Sequence, residues 1–502
     1  IRNPMVRKNG QLKETTWGEA FDEAARVLKD IRYRYGPDAL AVMASPRITL
    51  EESYLVGRLT RAALGTDQIA SYGQFISGGP RHDLDDVIGA TASTALREDI
   101  NAAEVILLVG ADPSITHPVI SMMLRRVAKK GAKLVVINSN NIDIVRSSRL
   151  WLDPRRGAMG ILLAGVLRQI IDRSESRKFE GENKEELKLL RDSLINADPD
   201  EVTRVAGVSP AKTDELVDLL TANKKVVAIY DMDDTMERAT DDLAALAQIL
   251  ILTDHISGNG NGLLLLQADS NAEGARMAGM SEGVLPGGLP ITNNKARLKV
   301  SEAWNTDIDK LSADKKAGGI LRRISTKQIA GALVILKNLV TDPEAGHLLA
   351  NLEGLVVVDN FMTETAKAAQ VVLPAATLAE SDGTIISFDR RVRAVTKVSN
   401  PLGKLSNAEI IVGLSKALGY PIPSADAAAI RKELATLAGI APTALEKARL
   451  EDGLWPDPGA FPLFRHLKKI QLSSKTYQPT RYPFASADWY IQRRLTQMGM
   501  TR

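Results

Sequence analysis

Three short segments carry residue types able to hold a small anionic ligand. Gly110-Ala111-Asp112-Pro113-Ser114-Ile115-Thr116-His117-Pro118 joins an apolar run to a predicted helix start, where free backbone N–H groups suit an anion. Asn138-Ser139-Asn140-Asn141-Ile142-Asp143 follows the next apolar run with polar amide, hydroxyl and carboxylate side chains. Gly258-Asn259-Gly260-Asn261-Gly262 would let a backbone approach a ligand closely. Placed at the carboxyl ends of neighbouring parallel strands, the three would frame a nucleotide-sized crevice. The same residue types also make tight turns and helix caps, and His117 reads better as a cap or a packed side chain than as a catalyst. Asp231-Met232-Asp233-Asp234 has donors for a hard cation, but a solvated turn explains it more simply. Asp389-Arg390-Arg391-Val392-Arg393 suits phosphate, and equally an exposed strand.

Other chemistries are excluded by what is missing. With no cysteine in 502 residues, this chain supplies no disulfide, thiolate nucleophile or thiolate-held iron–sulfur cluster. The five histidines are not paired at metal-ligand spacing. There is no GxxxxGK[ST], HExxH or GxSxG. Sixty-four Lys and Arg against 61 Asp and Glu leave a net charge of +3, so no nucleic acid partner is expected.

The elements that must position these segments repeat. Thr16-Trp17-Gly18-Glu19 has capping-box spacing ahead of a helix over 20–31, Leu40–Met43 reads as a buried strand, and a helix over 50–64 ends at Gly65. Val105–Val109, Lys133–Asn138, Val226–Tyr230 and Leu355–Asp359 are continuous apolar runs, as expected of strands buried on both faces. Helical stretches over 118–128, 241–252 and 344–352 separate them. Strands alternating with helices predict an α/β fold with doubly wound parallel sheets. Residues 271–326, rich in Gly, Pro and Asn, read as an irregular crossing between lobes. No apolar run is long enough to span a bilayer. The chain opens with Ile1, which reads as a processed or truncated start with further sequence upstream.

In this order the segments resemble the molybdopterin oxidoreductase superfamily: formate dehydrogenase large subunits and, most of all, the large iron–sulfur subunit of bacterial respiratory complex I. The resemblance runs from Pro4 to Pro421, with its best phrases at Pro4–Gly10, Glu104–Val136, Thr253–Met280, Val356–Ala366, Val372–Ala376, Glu380–Thr384 and Arg390–Val392. It implies two Rossmann-like lobes, one discontinuous (1–70 and 271–425) and one inserted (71–270); the prolines and aromatics of residues 426–502 read as a helical and extended tail, lying on partners or equally packed on its own domain. In active members the crevice between the lobes holds a bis-pterin guanine dinucleotide with molybdenum or tungsten. The resemblance carries the contacts for that group to vestigial candidates Gly110, Asp112, His117, Asn138, Asn140, Asp143, Gln267, Asn271 and Gly274.

This chain departs from the active pattern. The metal-ligating cysteine or selenocysteine would fall near Tyr72–Gly79, where Ser77 is the only hydroxyl beside Tyr72, and His82 follows at the wrong distance for the catalytic histidine. Asn138-Ser139-Asn140 stands where formate dehydrogenases commonly have Asp-Pro-Arg. Only about eighty residues follow Pro421, too few and too irregular for the family's C-terminal β-barrel. Burying a phosphate-rich group without its full set of partners costs several kcal/mol or more. The leading expectation is therefore a non-catalytic scaffold in the peripheral arm of a NADH:quinone oxidoreductase, without a cofactor of its own. It would hold neighbouring domains or subunits carrying iron–sulfur clusters and FMN in register at the inner face of a bacterial membrane, touching the membrane only through the complex. The alternatives are the body of a molybdenum or tungsten pterin formate dehydrogenase or bifurcating oxidoreductase, and a nucleotide-binding structural subunit.

Overall fold

The computed structural model describes residues 1–71, 84–88, 92–173, 184–231, 242–267, 269–311, 319–340 and 346–455. The sequence-derived candidates at Tyr72–Gly79, Ser77, His82, Met232-Asp233-Asp234 and residues 456–502 lie outside them.

Sixteen strands are described: β1 Met5–Lys8, β2 Gln11–Glu14, β3 Leu40–Ala44, β4 Ile69–Ser71, β5 Val105–Val109, β6 Lys133–Ile137, β7 Leu150–Leu152 and β8 Val226–Asp231. The rest are β9 Gly262–Leu266, β10 Val284–Leu285, β11 Leu289–Pro290, β12 Gly331–Ile335, β13 Gly354–Asp359, β14 Val371–Pro374, β15 Gly383–Ile386 and β16 Val392–Val395. One sheet has seven strands in the order β2-β1-β14-β13-β12-β3-β4, and the other has five in the order β7-β6-β5-β8-β9. The five-stranded sheet is parallel throughout; β5, for instance, pairs with β6 and β8 over its whole length. In the larger sheet only β1 runs antiparallel to its neighbours, β2 and β14. The α/β expectation with parallel sheets holds.

The reason lies in the apolar runs. Val105–Val109 and Val226–Tyr230 are all at most 1% exposed, because helices cover both faces of the sheet. Complete burial of one such side chain stabilises by about 1.5–3 kcal/mol, so these strands have no stable place but the centre of a layered fold. Helix Trp17–Tyr35 lies on the larger sheet so closely that a Cβ at Gly354 would sit 2.9 Å from Val27 Cγ1. Thr16 caps that helix by accepting from the Glu19 N–H, but Glu19 turns to Lys8 and Thr15, so only half of the capping box forms.

Two parts differ from the sequence reading. Residues 271–326 contain helices Ala272–Met277, Asn294–Trp304 and Ile320–Ser325 and the β10–β11 hairpin, and Met277, Val300 and Trp304 join the core of the seven-stranded lobe. The Asn residues that suggested loop are caps: Asn293 accepts from Ala296 N, and Asn305 ends its helix with φ 47°. Of the tail, residues 427–450 form two helices whose Ile430, Leu434 and Leu445 enter that same core. Among the described residues no helix is long and apolar enough to cross a membrane.

Candidate functional site

In the five-stranded sheet the chain leaves β5 for β6 and β7 on one side, then returns to build β8 and β9 on the other. Such a reversal separates the loops at the carboxyl ends of the two central strands and opens a crevice there. The loop after β5 is Gly110–His117, the loop after β6 starts at Asn138, and the segment after β9 starts at Gln267.

These three segments are tied to one another. His117 Nε2 lies 3.0 Å from the Gln267 carbonyl oxygen, joining the β5 and β9 loops. Since a carbonyl only accepts, Nε2 carries the proton. His117 Nδ1 sits 2.9 Å from Thr116 Oγ1. Asn138 Nδ2 donates to the Ala111 carbonyl at 3.4 Å, joining the β5 and β6 loops, while its Oδ1 accepts from Asn140 N at 2.9 Å. Asp112 caps the turn Pro113–Thr116 by accepting from Ser114 N at 3.1 Å, and burial pushes its carboxyl above the ordinary carboxylate range. Gly110 has φ +64°, with nothing within 4 Å of where a Cβ would stand, so the chain leaves β5 over open space. Gln267 has a buried Oε1 with no hydrogen-bond partner, while its Nε2 donates to Glu273 Oε2 at 3.5 Å.

The remaining candidates are placed differently. Asn140 is exposed and accepts from Arg156, and Asp143 is exposed and paired with Arg125 at 2.6 Å. Asn271 is fully buried within the seven-stranded lobe, donating to the Ile48 carbonyl and accepting from Ile386 N, each at 2.8 Å. Gly274 faces Asn271, whose Oδ1 lies 1.9 Å from the position of an added Cβ. Gly258–Gly262 is at the opposite edge: it precedes β9, and Gly260 N donates to Asp99 ahead of β5. Its glycines reverse the chain at the amino ends of the strands and take no part in the crevice. In the Asp389–Arg393 segment, Arg391 pairs with Glu98 at 2.9 Å and Arg393 with Asp452 at 2.7 Å, so both cations already have carboxylate partners.

The sequence reading missed Ser93 and Phe388. Ser93 Oγ accepts from Leu265 N at 2.9 Å and donates to the Phe388 carbonyl at 2.7 Å, and the Phe388 ring meets the His117 ring at 5.6 Å and 86°. The available signal was an aromatic residue in an otherwise polar turn, Ser387-Phe388-Asp389-Arg390-Arg391. The two lobes also meet through Arg47 and Asp269, 2.9 Å apart, which brings the loop after β3 to the segment after β9. Among the described residues no group of three or more His, Asp or Glu could hold a metal ion.

Relatives match about four-fifths of this chain. The F420-dependent formate dehydrogenase subunit alpha of Methanocaldococcus jannaschii is 29% identical over 427 residues, covering 84% of this chain and 62% of that protein. Formate dehydrogenase H of Escherichia coli is 24% identical over 432 residues, covering 84% and 60%. The Bacillus subtilis relative YrhE is 28% identical over 411 residues, of which this chain spans only 42% of the length. Among solved structures, acetylene hydratase from Pelobacter acetylenicus superposes with a TM-score of 0.66 over 90% of this chain and 69% of that one, at 17% identity. The reading of the chain as a non-catalytic complex I scaffold is corrected by these relatives, which match four-fifths of it and carry formate dehydrogenase in their names. That reading leaned on a few local departures, the absent cysteine, the Asn138-Ser139-Asn140 turn and the short stretch after Pro421, against an order of segments common to the whole superfamily. A profile of the molybdopterin oxidoreductase family matches residues 1–417, spanning both sheets and every loop of the crevice, and the chain belongs to that family.

Proposed function

We propose that this chain is the body of a molybdenum or tungsten pterin oxidoreductase of the formate dehydrogenase type, and that its crevice grips the guanine nucleotide end of the cofactor. One observation carries the reading: three loops beside a topological switch point are hydrogen-bonded to one another, and Gln267, which starts one of them, has a buried acceptor, Oε1, with no partner. A buried acceptor without a donor costs about 1–3 kcal/mol. Guanine presents two adjacent donors, N1–H and N2–H2, on the edge that would recover it, whereas adenine sets a single donor, N6–H2, beside the N1 acceptor. Gly110 leaves room for a phosphate beside the backbone, and Asn138 and Asp112 fix the loop that would face it. The residues therefore fit the nucleotide half of the group.

When bound, the metallopterin would supply two-electron chemistry. The protein's own share is to hold and orient: His117 fixes the Gln267 backbone, Asn138 fixes Ala111, and Asp112 shapes the turn between them. The relatives that carry formate in their names support formate as substrate. This chain offers no thiolate to the metal, so a ligand from it would have to be a different donor, such as a hydroxyl oxygen. Calorimetry with GDP and ADP tests the reading. GDP is expected to bind more tightly than ADP, with the preference lost in Gln267→Met. Equal affinity for both, or none for either, would dismiss it; GDP binding to a chain that never acquires metal would favour a nucleotide-binding structural subunit.

A further inference from the structure

The tip of the β15–β16 hairpin grows from one lobe and sits on the other. Just beyond its turn the hairpin is tied to the seven-stranded lobe: Val392 N donates to the Gly453 carbonyl and Trp455 N to the Arg390 carbonyl, each at 2.8 Å. At its tip, Phe388 packs against the core of the inserted lobe formed by Ile106, Leu108 and Ile120. The Phe388 carbonyl takes the Ser93 hydroxyl, which in turn takes the amide of Leu265, two residues before Gln267. Its ring stands edge-to-face on His117, the side chain that binds the Gln267 carbonyl. Arg391 closes the contact on Glu98. Phe388 therefore touches the His117 loop directly and is linked to the end of β9 through Ser93, while remaining part of the opposite lobe.

We propose that Phe388 is a positioning residue: it presses His117 onto the Gln267 carbonyl and keeps the β5 and β9 loops in register, so that the crevice is shaped only while the two lobes are joined at this tip. An aromatic pair of this geometry contributes enough to change a local equilibrium about three- to tenfold. The effect on ligand affinity rests on the nucleotide reading of the crevice; the effect on the loop does not.

The test uses the full chain with Phe388→Ala, Phe388→Leu and Phe388→Tyr, read by amide hydrogen exchange and by GDP calorimetry. Phe388→Ala is expected to speed exchange about three- to tenfold in residues 110–118 while leaving helix 159–173 as in the wild type, and to weaken GDP by a similar factor. Phe388→Tyr, which keeps the ring, restores both. Phe388→Leu keeps apolar volume against the core and removes the ring, so it decides the matter if the alanine variant does not fold. Unchanged exchange at 110–118, equal acceleration in 159–173, or a tyrosine variant that behaves like alanine would overturn the proposal. If the wild type binds no GDP, the crevice reading fails and exchange alone decides for or against Phe388.

Discussion

Replacing Asn271 by alanine removes a side chain that is 0% exposed and spends both ends of its amide on backbone groups of the other segments it joins. The Ile48 carbonyl and the Ile386 N–H would each lose a partner at 2.8 Å in a place that admits no water from bulk. An unsatisfied buried group costs about 1–3 kcal/mol, so the variant should lose about 2–5 kcal/mol. Urea denaturation measures this as a lowered midpoint with an unchanged slope. Asn271→Asp sharpens the test. Its carboxylate would still accept from Ile386 N, but it would set a negative oxygen against the Ile48 carbonyl, and burial would raise its pKa in the folded state. The penalty is then full above the folded pKa and disappears as pH falls to the unfolded value of about 3.9, where a protonated oxygen donates to Ile48. The aspartate variant should therefore approach the wild type on acidification, and the alanine variant should not. A loss under about 1 kcal/mol for alanine, or a pH-independent deficit for aspartate, would refute the reasoning.

Arg61 is fully buried and binds Asp67 at 2.7 Å and the carbonyls of Gly279 and Ser281; Arg61→Ala leaves the Asp67 carboxylate without its cation and should cost about 3–5 kcal/mol in urea denaturation. Glu52 is buried, and burial raises its carboxyl pKa. Its charge thus costs stability above the folded pKa, and that cost is relieved as pH falls towards the unfolded value of about 4.3. Wild type should accordingly gain on Glu52→Gln between pH 7 and pH 5, and a constant difference would contradict this. Gly354→Ala pushes a methyl to within 2.9 Å of Val27 and 3.2 Å of Ile31, and thermal denaturation should show a loss of about 1–3 kcal/mol.

The sheets were legible because Val105–Val109, Lys133–Ile137 and Val226–Tyr230 are apolar at every buried position, which only a covered parallel strand accommodates. Gly110, Asp112, His117 and Asn138 were legible as loop residues because parallel strands must return through such turns. What each one binds was not. Asn271 and Gly274 look like ligand contacts in sequence, yet Asn271 spans Ile48 and Ile386, 223 and 115 residues away along the chain. Pairings at that separation leave no local pattern. The Gly258–Gly262 run misled for a related reason: glycine marks a tight reversal without saying at which end of the strand it lies. Phe388 stood out only as an aromatic residue in a polar turn; its role was hidden because its partners, Ser93 and His117, belong to the other lobe.

The central claim is that the crevice at the β5, β6 and β9 carboxyl ends holds the nucleotide end of a metallopterin. Full-length protein isolated from cells that make the cofactor, assayed for molybdenum and tungsten and for guanine nucleotide released on acid hydrolysis, tests it most directly. Stoichiometric metal together with released guanine nucleotide, both diminished in Gln267→Met, is the predicted result. Protein free of metal and of guanine nucleotide would contradict it.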